Sequence, residues 1–332
     1  MITCRTPHRI SFFGGGTDYP QFFEQYGGKT LGVAIDKYCY ISIRELPPFF
    51  DFNYRVVYSR QENVKTIEEI QHPAVRTVLQ HMQVDSGLSI HHDSDIPARS
   101  GMGSSSAFTV GMLNALYALH GRIRSKKDLA LEAIHVEQNL IKENVGSQDQ
   151  TFAAYGGLNV IEFMKNGEVV VSPIILSHKR LEAFRGRLML FFSGLSRTAS
   201  EIVQEQIGNT EKNLKELFVM KDMVDKAYGI LTSQCDLCEF GALLNETWRL
   251  KKALSKRITT PQIDTMYDKA MEAGALGGKL LGAGGGGFML VFAEPENQPA
   301  IRKAMEDYLQ IPFGFDFDGS RIIVYEPYYS TK

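Results

Sequence analysis

Cysteine is scarce in this sequence, with only Cys4, Cys39, Cys235 and Cys238 in a chain of 332 residues. These residues are too few and too scattered for a disulfide framework, and such usage suits a reducing cytoplasm, which is the location we predict. Cys235 and Cys238 form one CxxC pair. A redox pair or half of a zinc site is one interpretation, but no second pair or histidine cluster lies nearby in the sequence to supply further ligands. Packing on a helix is the simpler interpretation.

A long apolar run is also missing. Residues Ser100 to Gly121 contain no Asp, Glu, Lys or Arg, but only Ala107 to Leu119 are apolar, short of the roughly 20 residues that a membrane-spanning helix needs. We predict a buried core helix there. The N-terminus has charges before any apolar stretch, unlike a signal peptide. The formal net charge of −2 favours neither a nucleic-acid nor a membrane partner, and it leaves the oligomeric state open.

The length predicts two domains, each with its own apolar interior. The composition of the chain changes near residue 185, which divides it into 1–185 and 186–332. Predicted strands and helices mix without regular β-α-β alternation, so we expect an α+β fold. The predicted strands are Ile2–Phe13, Gly32–Leu46, Arg55–Ser59, Leu88–His92, Leu158–Phe163, Leu188–Ser193, Phe288–Phe292 and Ser320–Tyr325. The predicted helices are Ala74–Met82, Ala107–Leu119, one that begins at a capping box of Ser125 and Asp128 and runs to about Asn144, one that begins at a capping box of Ser147 and Gln150, helical stretches ending near Ala273, and Ala300–Tyr308.

The segment Pro97–Ala107 (PARSGMGSSSA) is the most informative of the glycine-rich stretches. Its glycines let the backbone turn tightly and approach a ligand closely. Because the loop then opens a helix, free N–H groups and the helix dipole converge on one point, which favours an anion. The serine hydroxyls can add hydrogen bonds to a phosphate group or ligate Mg²⁺. The alternative is a simple N-cap serine, which would not require Gly-x-Gly.

Two further stretches are rich in glycine. Thr6–Pro20 places Arg9 near three glycines, Thr17 and Asp18, which suits a site for hydroxyl groups at a sheet edge, or else a plain turn. Gly274–Phe292 contains so many glycines that another group must pass close to its backbone. Its match to G-x-G-x-x-G is followed by a strand rather than a helix, so it fails the dinucleotide test.

Two carboxylates stand out from the ordinary surface charges. Glu137 lies late in the helix predicted after Ser125. Asp149 lies just inside the helix predicted after Ser147, where the positive helix end favours its ionised form. The surroundings of Asp149, VGSQDQTFAAYGG, are poor in charge and rich in small residues. This setting favours a proton acceptor or a metal-linked group over a solvated surface charge.

Taken in order, these segments resemble the GHMP kinases along nearly the whole chain. Thr6–Pro20 resembles the first family motif, Pro97–Ala107 the phosphate loop P-x-x-x-G-L-G-S-S-A, and Gly274–Phe288 the third motif. Met102 replaces the usual Leu, and Ser106 replaces the usual Ala. The resemblance implies a first domain like the second domain of ribosomal protein S5, a ferredoxin-like second domain, and ATP in the cleft between them.

The resemblance also assigns roles to residues. Asp149 would orient or deprotonate the attacking hydroxyl, and Arg9 would help to neutralise charge. Ser105 and Glu137 would hold Mg²⁺. The ATP phosphates would lie against the phosphate loop, at Pro97, Gly101, Met102, Gly103, Ser104, Ser105 and Ser106.

The expected acceptor is a small sugar phosphate. Gly15 and Gly16 stand where the galactokinase branch has Glu and His, which leaves room for a larger sugar, with Thr17 and Asp18 beside them. Gly284 and Gly285 of the third motif are also expected at the substrate. Arg197 is the candidate for holding the sugar's phosphate, with Ser196, Thr198 and Ser200 as further donors. The alternatives are a kinase of unphosphorylated fucose or galactose, and a catalytically silent sugar sensor.

Overall fold

A computed structural model describes residues 1–194 and 200–326 of the chain. Its strands form two separate sheets, and its helices cover them. The strands are β1 Ile2–Phe13, β2 Gly28–Glu45, β3 Tyr54–Val57, β4 Gln61–Val64, β5 Leu88–Ser94, β6 Leu158–Phe163, β7 Val169–Pro173, β8 Leu188–Phe192, β9 Gly277–Leu280, β10 Phe288–Phe292, β11 Leu309–Gln310 and β12 Arg321–Tyr325. The helices are α1 Pro20–Tyr26, α2 Pro73–His81, α3 Ser104–Leu119, α4 Lys126–His135, α5 Gln148–Tyr155, α6 His178–Arg185, α7 Ser200–Gly208, α8 Leu214–Thr232, α9 Cys238–Leu254, α10 Pro261–Glu272 and α11 Gln298–Ala304.

The first sheet is built around the long strand β2. Its first part, Gly28–Val33, pairs with β6, and its second part, Cys39–Glu45, pairs with β5. The strand order is β12-β1-β2-β5-β3-β4, and β7 extends the sheet from β6. The apolar helix α3 packs on β1 and β2 and is buried along most of its length, as the charge-free segment predicts.

The second sheet has the order β11-β8-β10-β9. Numbered along the chain, this order is 4-1-3-2, and α7–α10 and α11 provide the two helical connections of a β-α-β-β-α-β unit. This is the ferredoxin-like arrangement that the family resemblance implies. Together with the first sheet it confirms the α+β class.

The two sheets share apolar packing, which differs from the expectation of two separate interiors. Phe12 and Phe13 of β1 pack edge-on against Phe240 of α9, with ring centroids 5.5 and 5.0 Å apart. The chain changes sheets between β7 and β8, close to the predicted division at residue 185. Strand β12 then returns to the first sheet and pairs with β1, so the segment 186–332 is not wholly a second domain.

Helix α4 ends earlier than predicted. It stops at His135, and a π-helical segment, Val136–Ile141, continues to the left-handed residue Lys142. π-helical turns are rare and often occur at functional sites. This one carries the buried Glu137. Within the described ranges, the structure has no helix that combines the length and apolarity needed to cross a membrane.

Candidate active site

Arg9 and Asp149 form an ion pair at the centre of the candidate site. Arg9 lies on β1 and Asp149 in the first turn of α5. Arg9 Nε and Nη2 donate to Oδ1 and Oδ2 of Asp149, each at 2.7 Å. The Arg9 side chain is 6% exposed and that of Asp149 25%, so the carboxylate keeps an accessible side. Such a bidentate pair fixes the orientation of the carboxylate.

The phosphate loop lies directly against this pair. Arg9 Nη1 donates to the carbonyl of Gly101 at 2.8 Å, and the backbone N–H of Arg9 donates to Met102 at 3.1 Å. Gly103 is the N-cap of α3 and has a left-handed φ of 73°. A Cβ on Gly103 would lie 3.4 Å from Asp149 Oδ2. The free N–H groups of α3 therefore begin next to the candidate base.

The other predicted phosphate-loop residues differ in their exposure to solvent. Pro97 is exposed at the start of the loop, and Ser104 is half-buried at the first position of α3. The Met102 side chain is fully buried in the core, so only its backbone faces the site. Ser105 is exposed, whereas Ser106 is buried beneath it.

The third glycine-rich segment packs against the phosphate loop. A Cβ on Gly282 would lie 2.4 Å from Gly101 Cα, and one on Gly287 would lie 2.2 Å from the Ser100 carbonyl oxygen. A Cβ on Gly284, which was predicted to contact substrate, would lie 2.7 Å from Ile258 Cα, and the Gly285 N–H donates to Ile258 O at 2.9 Å. The close approach that the glycines predict is thus made by the chain itself, and the assignment of Gly284 and Gly285 to the substrate stays a prediction.

Glu137 is a fully buried carboxylate. Its Oε2 accepts hydrogen bonds from Ser106 Oγ at 2.8 Å and from the Gln150 side-chain amide. Its Oε1 has no hydrogen-bond partner in the part of the chain that the structure describes. Burial raises the pKa of Glu137 to about 7. An unpaired, desolvated carboxylate oxygen is a suitable ligand for a hard cation.

Ser105 does not bond Glu137 in this structure. Its hydroxyl donates to Oε2 of Glu143 at 3.4 Å. Successive helical residues point about 100° apart, so Ser106, the departure from the family pattern, faces Glu137 while Ser105 faces outward. The predicted pair of metal ligands therefore flanks the first turn of α3 without a direct contact.

The side chains of Thr17 and Asp18, which were predicted to contact substrate, form hydrogen bonds with the backbone of the turn after β1. Thr17 is fully buried, and its hydroxyl donates to the carbonyls of Gly14 at 2.8 Å and Lys29 at 2.9 Å. Asp18 is 1% exposed and accepts from the Gly16 N–H at 3.0 Å and more weakly from the Gln148 N–H at 3.4 Å. Both side chains are engaged by the backbone in this structure, and their contact with substrate stays a prediction.

Sequence reasoning missed two buried lysines beside the site. Lys279 on β9 donates to the carbonyl of Phe12 at 2.8 Å, just before the turn. Lys251 on α9 donates to the carbonyls of Leu280 at 2.8 Å and Gly282. Burial, with the nearby Arg9 charge, lowers the pKa of Lys279 to about 7. The position of Lys279 within the apolar run GGKLLG is the sequence signal that could have indicated a buried lysine.

Two predictions remain, one for the loop that contains Arg197 and one for the pair Cys235 and Cys238. Arg197, Ser196 and Thr198 lie outside the described residues, and for Ser200 only the backbone position at the start of α7 is described. Cys235 and Cys238 are free cysteines, and Cys238 Sγ donates to Glu294 at 2.8 Å near the start of α9.

The family is evident from two sequence models. "GHMP kinases N terminal domain" matches residues 67–157, and "GHMP kinases C terminal" matches residues 232–311. The first match contains the phosphate loop, Glu137 and Asp149, and the second contains the third glycine-rich segment. The chain therefore belongs to the GHMP kinases and is an ATP-dependent kinase.

Within the family, the chain is similar to the D-glycero-alpha-D-manno-heptose 7-phosphate kinase of Campylobacter jejuni, with 29% identity over 96% of this chain and 97% of that protein. It is 24% identical to the bifunctional fucokinase/GDP-fucose pyrophosphorylase of Arabidopsis thaliana, over 92% of this chain and 31% of that longer protein. The crystal structure of a D-glycero-D-manno-heptose 1-phosphate kinase from Bacteroides thetaiotaomicron has the same fold, with a TM-score of 0.80, 22% identity, and coverage of 97% of this chain and 98% of that one.

Proposed function

We propose that this kinase transfers the γ-phosphoryl group of ATP to the anomeric hydroxyl of D-glycero-D-manno-heptose 7-phosphate and forms the 1,7-bisphosphate. The observation that carries the proposal is the position of Asp149. Arg9 holds its carboxylate through two hydrogen bonds, next to Gly103 at the start of α3. A base and a phosphate-binding helix end thus lie side by side. The similarity to a heptose 7-phosphate kinase supports the choice of acceptor.

The chemistry follows from this arrangement. The N–H groups at the start of α3 and the phosphate loop bind the ATP phosphates. Asp149 accepts the proton of the sugar hydroxyl. The oxygen of that hydroxyl forms a bond to the γ-phosphorus, and the bond from the γ-phosphorus to the ADP oxygen breaks. Arg9 keeps Asp149 oriented and offsets the negative charge near the transferred group. Positioning and electrostatic stabilisation are the main contributions in phosphoryl transfer.

A divalent cation fits the residues present. Glu137 offers a buried, unpaired Oε1, and the exposed hydroxyl of Ser105 lies on the first turn of α3. We infer that Ser105 and Glu137 hold Mg²⁺, which supplies positive charge to the ATP phosphates when bound. For the substrate's own phosphate we retain Arg197, because guanidinium matches phosphate oxygens in a bidentate manner. The proposed cellular site of this reaction is the cytoplasm.

The test is ADP release over a panel of acceptors with Mg²⁺-ATP. The panel contains heptose 7-phosphate, heptose 1-phosphate, unphosphorylated heptose, fucose, galactose and mevalonate. We expect the highest kcat/KM with heptose 7-phosphate. Robust turnover of fucose or galactose with none of the heptose phosphate would favour the second candidate, a fucokinase-like activity, which the Arabidopsis relative supports. Sugar binding without ADP release from any acceptor would indicate a sensor.

A further inference from the structure

Gly15 differs from the two glycines that flank it. Gly14 and Gly16 have positive φ angles of 78° and 100°, and a Cβ on Gly14 would lie 1.9 Å from the Lys29 carbonyl oxygen. The backbone therefore requires glycine at both positions. Gly15 has no such requirement, because its φ is not positive and a Cβ there would have no neighbour closer than 3.7 Å.

The nearest atoms around that Gly15 position are polar. They are Ser11 Oγ at 3.7 Å and Gln148 Nε2 at 3.8 Å from the ideal Cβ. Ser11 is 7% exposed and Gln148 8% exposed. Ser11 Oγ and Gln148 Oε1 are both buried and have no hydrogen-bond partner among residues 1–194 and 200–326. Leaving such groups unpaired is costly, so a ligand that pairs with them gains affinity.

The Gln148 side chain lies beside Asp18, whose Oδ2 accepts a hydrogen bond from the Gln148 backbone N–H at 3.4 Å. Burial and the nearby Asp149 charge raise the pKa of Asp18 to about 6, and a side-chain hydrogen bond from Gln148 opposes that rise. The amide nitrogen Nε2 is the Gln148 atom nearest the Gly15 position, and the carbonyl oxygen Oε1 next to it is the atom without a partner in the described chain.

Both groups lie next to the Arg9–Asp149 pair. Ser11 is two residues after Arg9 on β1, and side chains two apart leave the same face of a strand. Gln148 directly precedes Asp149 in the first turn of α5. An acceptor whose reacting hydroxyl lies at Asp149 would therefore place its neighbouring groups over Gly15.

We propose that Ser11 and Gln148 form a hydroxyl-binding subsite over Gly15, which holds the sugar through hydroxyl groups near the reacting one. Gln148 Oε1 can only accept a hydrogen bond, so its partner must donate. A sugar hydroxyl can donate, whereas an ionised phosphate or carboxylate oxygen cannot. Ser11 can donate to or accept from a second hydroxyl. The subsite thus matches a neutral polyol, whose hydroxyl groups can both donate and accept hydrogen bonds. This inference rests on the proposed function in taking the acceptor to be a sugar.

The experiment uses the full chain with the Ser11→Ala and Gly15→Ala variants. Ser11→Ala removes one hydrogen-bonding group, and we expect it to raise KM for heptose 7-phosphate roughly threefold to tenfold. Gly15→Ala places a methyl group in the subsite without backbone strain, and we expect KM to rise by roughly tenfold or more. In both variants KM for ATP should stay unchanged, and the melting temperature should not fall. Thr30→Val is the matched control, because Thr30 Oγ1 is another buried hydroxyl without a partner in the described chain. It should leave KM for the sugar unchanged.

Singly deoxygenated sugars give a second measurement. For the analogue that lacks the hydroxyl bound by Ser11, the Ser11→Ala penalty should disappear, whereas it should persist for the other analogues. A lower melting temperature with an unchanged sugar KM would assign Ser11 a purely structural role and overturn the proposal. An unchanged KM in Gly15→Ala would do the same. If no sugar is phosphorylated by the unmodified chain, the proposed function fails instead, so the two failures are distinguishable.

Discussion

Arg9 and Asp149 are joined by two parallel hydrogen bonds of 2.7 Å, although 140 positions separate them in the sequence. The same arginine donates its third hydrogen bond to the Gly101 carbonyl of the phosphate loop. One side chain thus links strand β1, helix α5 and the loop before helix α3. Because Arg9 is almost completely buried, its charge depends on Asp149 for compensation.

The first prediction concerns Asp149 as the proton acceptor. Asp149→Asn keeps the size of the side chain but removes its basicity, so we expect kcat to fall by about a hundredfold or more while ATP still binds. The melting temperature should also fall, because Arg9 loses its ionic partner. Steady-state kinetics, nucleotide titration and thermal unfolding measure the three effects. Asp225→Asn, which neutralises a carboxylate that is 67% exposed, is the control. Near-normal turnover of Asp149→Asn would rule out this role.

The second prediction concerns the cation. Ser105→Ala and Glu137→Gln should each weaken binding of Mn²⁺, used as a spectroscopic substitute for Mg²⁺, in the presence of a non-hydrolysable ATP analogue. If both residues serve one ion, the free-energy loss in the double mutant should be smaller than the sum of the single losses. Electron paramagnetic resonance measures the free Mn²⁺ directly. Glu168→Gln, at an exposed position between β6 and β7, should leave binding unchanged. Fully additive losses would indicate that Ser105 and Glu137 act separately.

The third prediction contrasts two glycines. A Cβ on Gly146 would lie 1.9 Å from Asp18 Oδ2, so Gly146→Ala should displace Asp18 and destabilise the protein by about 1–3 kcal/mol. Gly229 lies inside α8 with open space at its Cβ position, so Gly229→Ala should stabilise the protein by about 0.5–1 kcal/mol. Urea unfolding compares the two variants. Equal effects at both positions would contradict this account of Gly146.

The fourth prediction concerns Arg197, which lies outside the described residues. If it holds the substrate's phosphate, Arg197→Ala should raise KM for heptose 7-phosphate about tenfold to a hundredfold, as expected for a lost charged hydrogen bond of roughly 1.5–3 kcal/mol. KM for unphosphorylated heptose, KM for ATP and thermal stability should change little. A lower melting temperature with an unchanged sugar KM would instead give Arg197 a structural role.

Local patterns in the sequence predict much of the fold. The bounds of β1, β6 and β10 match their predicted segments, because each is a continuous or alternating apolar run ended by glycine or a turn. The return of β12 to pair with β1 was not predicted. That pairing joins Ile2 to Tyr325, and it is decided by which sheet edge is free in the folded protein rather than by local pattern.

In the candidate site, too, some features follow from local sequence and others depend on tertiary contacts. The phosphate loop and the position of Asp149 follow from motifs. Ser147 and Gln150 were predicted as a capping box, which is wrong, because Ser147 Oγ accepts from Gln138 and Gln150 donates to Glu137. Tertiary partners thus outcompete a local cap. At Ser125 the predicted cap is confirmed, since its hydroxyl accepts from the Asp128 N–H at 3.0 Å on an exposed surface without such partners.

The last prediction concerns Lys279, whose charged form is disfavoured in the folded protein. It is 3% exposed, and burial, together with the Arg9 charge, lowers its pKa to about 7 from the ordinary value of 10.5. Lys251, also buried, has a pKa that burial and the Lys279 and Arg9 charges lower in the same direction. Between pH 7 and the ordinary lysine value, the unfolded chain therefore binds more protons at these positions than the folded protein does. The contribution of these two lysines to the free energy of unfolding therefore rises with pH across this range.

Lys279→Met removes one of these two groups and should reduce that rise. From pH 7 to 9, the stability of the unmodified protein relative to Lys279→Met should increase by about 1 kcal/mol per pH unit, because one pKa unit corresponds to about 1.4 kcal/mol. Urea unfolding at several pH values measures this difference, in which the contributions of other titrating groups cancel. Lys303→Met, on the exposed side of α11, should show a constant difference from the unmodified protein. A constant difference for Lys279→Met as well would mean that Lys279 holds the Phe12 carbonyl with an ordinary, fully charged ammonium group.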